Sequence, residues 1–115
     1  MRLISLNSWC GRALHPLMNF FKSRASSTDI FCLQEVLHAE FGVMEERHPD
    51  EYVCAQLYGK IAKTLKDFDG VYAVFEDDPN RMSLATFVRH GMSVKSIQDF
   101  IIYKPVNPIE KGSAI

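Results

Sequence analysis

No apolar run in the chain approaches the roughly 20 residues that a membrane-spanning helix needs, and the amino terminus lacks a basic region followed by an apolar stretch and a cleavage site. A cytoplasmic protein without a membrane span is the expectation. Cysteine is scarce. Cys10, Cys32 and Cys54 are odd in number and at least 22 positions apart, so neither a disulfide framework nor a C-x-x-C metal knuckle is written into the spacing. A reducing compartment is the simplest setting for them, with Cys32, inside an apolar run, expected as a small core residue. Blocks of like charge are also missing: 13 Lys and Arg stand against 14 Asp and Glu, for a net charge of -1. That argues against a non-specific nucleic-acid surface, which would show a clustered basic patch, while leaving a nucleic-acid substrate open.

What is present is the composition of a globular protein. Hydrophobic residues make up 47% and charged residues 23% of 115 positions, enough for one packed domain and too few for two of ordinary size.

The most informative stretch is Thr28 to Val36, T-D-I-F-C-L-Q-E-V, an apolar run that ends on an acid, Glu35. Strands covered on both faces read as unbroken apolar runs, and in open α/β sheets ligands sit beyond the carboxyl ends of such strands. A second run, Arg2 to Trp9, stops on a polar residue, Asn7. Between them, Pro16 is suited to a first helical turn, and Leu17, Phe20, Phe21 and Arg24 recur at helical spacing before Ser26, Ser27 and Thr28. Strand, crossover helix and strand predict a right-handed parallel pair with Asn7 and Glu35 side by side at its carboxyl end.

Leu37 to Pro49 is irregular and reads as a loop beside that end. Asp50 is then a plausible N-cap for a helix through Val53, Leu57, Ile61, Leu65 and Phe68, with Asp69 and Gly70 as its stop. From there the period changes to two. V-Y-A-V-F-E from Val71, S-L-A-T-F-V-R from Ser83 and V-K-S-I-Q-D-F-I-I-Y from Val94 are three strand candidates with short polar connections. The predicted order is β-α-β-α-β-β-β, an α/β (α+β) fold with a parallel first pair and an antiparallel meander at the carboxyl-terminal side. The last candidate, Ile97 to Tyr103, is apolar on both faces with no later strand to cover it, so the single domain spanning residues 1–115 reads as cut short.

L-I-S-L-N-S-W, D-I-F-C-L-Q-E-V and S-L-A-T-F-V-R-H-G together resemble the endonuclease/exonuclease/phosphatase superfamily, the deoxyribonuclease-I-like fold. The resemblance spans essentially the whole chain and corresponds to the first half of such a domain. It implies half of a two-sheet α/β sandwich and a metal-dependent hydrolase of phosphate esters. It also implies a magnesium or manganese cofactor, with Glu35 as a metal ligand and Asn7 holding metal or phosphate. The superfamily's later signatures, a G-D-x-N-like segment and a D-H pair, do not occur. This chain would then carry only the first half of an active site, and the 115 residues alone would hydrolyse little.

Magnesium is usually held by one or two carboxylates, several waters and substrate phosphate, a sparing demand that one Glu beside one Asn can meet. The alternative is a strand-end Glu in a solvated turn. His38 and Glu40 lie close enough in sequence to Glu35 to imagine a cation trio, although loop histidines beside acids are commonly just solvated. His90, before Gly91, reads as structural. Trp9 either lines the cleft or packs, and Arg2, Arg12 and Arg81 are basic residues that could meet phosphate. Phe20, Phe21, Phe41, Phe68, Phe75 and Phe87 read as core. The competing function is a non-catalytic fragment that forms a homo-oligomer through its open sheet edge.

Overall fold

Alternating residues on short apolar runs build one mixed sheet, and a computed structural model describes it over residues 1–38, 53–73 and 83–98. The strands are β1 (Leu3–Asn7), β2 (Ile30–Val36), β3 (Phe68–Ala73) and β4 (Ser83–Arg89), with helices α1 (Leu14–Arg24) and α2 (Leu57–Thr64). Their spatial order is β1-β2-β4-β3. β1 runs parallel to β2, while β4 is antiparallel to both β2 and β3. This is the mixed α+β class expected from the sequence, with the parallel first pair in place.

The crossover from β1 to β2 is α1, whose first backbone bond runs from the Leu17 N–H to the Ala13 carbonyl. Pro16 therefore falls inside the first turn, where its missing N–H leaves nothing unsatisfied. Phe21, one of the stripe residues, is fully buried. Its ring meets Phe31 of β2 edge-on at 5.4 Å, and Phe31 meets Phe68 at the same distance. Burying one such ring contributes about 1.5–3 kcal/mol, so this row anchors the helix to the sheet.

The second helix is shorter than its periodicity predicts. Leu57, Ile61 and Leu65 are buried at i+4 spacing, but the helix starts after Gln56 and ends at Leu65. Val53 lies ahead of it, and Asp50 lies outside the described residues. Phe68, Asp69 and Gly70 do not stop a helix; they open β3. The cause is Phe68, which extends the helical stripe by an i+3 step in the sequence yet packs as the first buried strand residue, opposite Arg89.

Both helices pack on one face of the sheet, over Phe31, Leu33, Val36, Ala85 and Phe87. Residues of the other parity, including Leu3, Cys32, Leu84, Thr86 and Val88, point to the opposite face, which no described element covers. Cys32 is thus a half-buried residue of the open face and not part of the core; Cys10 and Cys54 are the buried cysteines. Of the expected last strand, Val94 to Gln98 are described and are not strand. Its remainder to Tyr103, like Phe41, Phe75, Arg81 and the loop residues from 39 to 49, lies outside the described residues. No helix among the described residues is long and apolar enough to cross a membrane.

Candidate functional site at the carboxyl ends of the parallel strands

Asn7 is the last residue of β1 and stands opposite Gln34, so Glu35 follows one step on along the neighbouring strand. Strands lie about 4.8 Å apart, which puts the two polar residues of the sequence pattern at one end of one strand pair. Each then departs from regular strand geometry in its own way.

Asn7 turns its side chain onto the chain that follows: the Trp9 N–H donates to Asn7 Oδ1 at 2.9 Å. This local bond competes with strand continuation and seeds a turn. Trp9, Cys10 and Gly11 all have positive φ, at 50°, 53° and 74°. Three left-handed residues in succession are costly unless something fixes them, at about 1–2 kcal/mol for each that is not glycine. Ser8 N–H to Gln34 carbonyl at 2.8 Å, Gly11 N–H to Ser8 carbonyl at 2.9 Å and Cys54 N–H to Cys10 carbonyl at 2.8 Å do so. Trp9 itself is left 57% exposed beside the Arg12 guanidinium, so it lines this end of the sheet in preference to packing inside it.

Glu35 sits on an irregularity of the β2–β4 ladder between Leu33 and Val36, with φ of 54°. A bulged strand re-aims a side chain out of the two-residue alternation, and a glutamate held in the left-handed region is an outlier of the kind that concentrates at functional sites. Nothing in the residue type of Glu35 signals this. On either side of the bulge two hydroxyls, Ser8 Oγ and Ser83 Oγ, are buried without a partner among the described residues. Sequence reasoning passed over both.

Beyond Val36 the chain is pinned by aromatics. Tyr72 Oη donates to the Val36 carbonyl at 2.8 Å, and the Tyr58 N–H donates to the Leu37 carbonyl at 2.9 Å. His38 stacks on Tyr58 at 4.6 Å between ring centres and meets Tyr72 edge-on at 5.1 Å. It is held in an aromatic clamp and does not stand in a solvated loop. Tyr58 beside Leu57 in α2 and Tyr72 beside Val71 in β3 were the available signal. Burial pushes the Tyr58 hydroxyl pKa up from its ordinary 10.0.

The other candidates separate. Arg2 is at the opposite end of the sheet, where its N–H bonds Asp29 Oδ2 at 2.7 Å, so it cannot meet a phosphate held near Glu35. Arg12 is at the Asn7 end. His90 contacts Asp69 at 3.1 Å in an exposed turn before Gly91. Among the described residues no group of three or more His, Cys, Asp or Glu gathers into a cluster that could hold a metal. Among the described residues the strand ends carry one carboxylate and one amide oxygen, an oxygen set as sparing as the one or two carboxylates that commonly hold a largely hydrated magnesium ion. Comparison with protein families, curated proteins and solved structures gives no match.

Proposed function

We propose that the chain carries part of the site of a metal-dependent phosphoric ester hydrolase, in which Glu35 binds a divalent cation and Asn7 helps hold the cation or the phosphate. One observation supports this reading above the others: Glu35, an acid at the end of the parallel pair, is held in a left-handed conformation one step beyond the partner of Asn7. Such strain at a strand end is hard to account for as packing, since a glycine would serve the backbone better there. The described helices pack on one face, and an opposite face carrying Leu3, Leu84 and Val88 also suits the sandwich that the resemblance to the endonuclease/exonuclease/phosphatase superfamily implies.

A cation bound there would polarise a phosphoryl oxygen and lower the pKa of a bound water. In this reading the bulge would re-aim Glu35, and the Trp9 N–H bond to Asn7 Oδ1 leaves that oxygen a second lone pair.

The test uses the single tryptophan, Trp9, as reporter. Its backbone is bonded to Asn7, so titration with magnesium or manganese is expected to change its emission saturably, and Glu35→Gln is expected to remove the response. Emission that ignores both metals, or responds equally in Glu35→Gln, refutes the reading.

A second reading, association of copies through a sheet edge, has one observation in its favour. β1 is a margin of the described sheet, with Leu3 54% exposed. Light scattering over a concentration series separates the two, because association predicts a mass that rises with concentration whether or not metal is present.

A further inference from the structure

Cys10 and Cys54 are 44 positions apart in sequence and meet in the core. The Cys54 N–H donates to the Cys10 carbonyl at 2.8 Å, and the two residues are 3% and 4% exposed. The covalent bonds that flank this contact leave the two Cα atoms at most about 6.7 Å apart, within the roughly 4.4–6.8 Å that a disulfide spans. The Cys54 side chain also lies against this same segment: a Cβ added to Gly11 would be 2.7 Å from Cys54 Cβ. All three cysteines are thiols, and Cys32 is on the far face of the sheet.

We propose that Cys10 and Cys54 form a dithiol–disulfide pair, a modification site that ties the left-handed turn after β1 to the segment leading into α2. The oxidant is a small disulfide of the glutathione class. One protein thiolate attacks a sulfur of that disulfide, forming a mixed disulfide and expelling one small thiolate. The second protein thiolate then attacks the protein-bound sulfur, forming the Cys10–Cys54 bond and expelling the other. Two electrons pass from the protein to the oxidant, and the two thiol protons end on the two released small thiols. Burial makes the first attack depend on opening of the turn, so the reaction is slow.

The consequence reaches the strand ends. The bonded turn begins at Trp9, whose N–H holds Asn7, so oxidation fixes the Asn7 side chain in its present orientation. The pairing of the two cysteines stands independently of any metal at Glu35.

The experiment is prolonged incubation of the folded protein with oxidised glutathione, then denaturation with N-ethylmaleimide and mass measurement. Of the three cysteines, two are expected to be lost to alkylation, leaving Cys32 as the labelled one. Proteolysis is expected to give a linked Cys10–Cys54 peptide. Cys32→Ser is expected to form the same link, and the unfolding midpoint of the oxidised protein is expected to rise and to fall back after reduction. Full alkylation of all three residues, a link to Cys32, or a link between chains would each overturn the proposal. The wild type and Cys32→Ser decide the question without any variant at the buried pair itself.

Discussion

Tyr58 Oη fills the space that a side chain at Gly70 would need. Gly70 lies in β3, and a Cβ built on it would meet that hydroxyl and come within 2.7 Å of Phe87 Cε1. Glycine is therefore required here by the close approach of an aromatic pair, since Tyr58 and Phe87 stack at 5.3 Å, and not by any need for positive φ.

Gly70→Ala is expected to destabilise the fold by about 1–3 kcal/mol through overpacking, although alanine is the better strand residue in isolation. Urea denaturation checks it. If Tyr58→Phe relieves the cost in the double variant, the hydroxyl is the clashing atom; a neutral Gly70→Ala would show that the stack has room.

Glu35→Gly is expected to leave stability unchanged or to raise it by up to about 1 kcal/mol. The left-handed backbone costs a non-glycine residue about 1–2 kcal/mol, against which the extra freedom of glycine in the unfolded chain costs about 0.5–1 kcal/mol. Chemical denaturation of the two proteins is the measurement. A clear loss of stability would mean that the Glu35 side chain contributes packing or bonding that offsets its strain.

Alkaline pH is expected to weaken the fold through Tyr58. Its folded pKa is raised above 10.0 by burial, so the folded state holds the phenolic proton more tightly than the unfolded chain does. That stabilisation is fully present below the unfolded value, shrinks as pH rises above it, and is gone once pH has passed through the folded value. Burial raises the Cys32 thiol from 9.0 in the same sense, so the decline begins slightly earlier. Melting temperatures followed from neutral to alkaline pH should fall, and Tyr58→Phe with Cys32→Ser should flatten the curve; an unchanged slope in that double variant would refute the assignment.

The strand–helix–strand unit was legible because its signal is local: Leu17, Phe20 and Phe21 fix a helix face, and two apolar runs fix the strands around it. The close of β1 at Asn7 and of β2 near Glu35 was legible for the same reason. What stayed hidden depends on backbone sign or on distance. The residue types of Glu35 and Trp9 do not announce positive φ, and the contact between Cys10 and Cys54 needs the fold that brings them together. Cys32 misled because an unbroken apolar strand was read as covered on both faces, whereas described elements cover only one. Phe68 misled because i+3 from Leu65 suits a helix as well as a new strand.

Arg89, the last residue of β4, reaches across to where α1 gives way to β2. Its Nε and Nη2 donate to the Thr28 carbonyl at 3.0 and 2.6 Å, Nη2 also donates to the Ala25 carbonyl, and its guanidinium lies 4.8 Å from the centre of the Phe68 ring. The carbonyls that end the first crossover are thus satisfied by a residue that the ribosome adds some sixty positions later. During synthesis the amino-terminal β-α-β segment emerges with those acceptors open to water and one edge of β2 waiting for β4. Those acceptors gain their final partners only after residue 89 has been added, so the amino-terminal segment cannot complete its own hydrogen bonding while it is the only part synthesised.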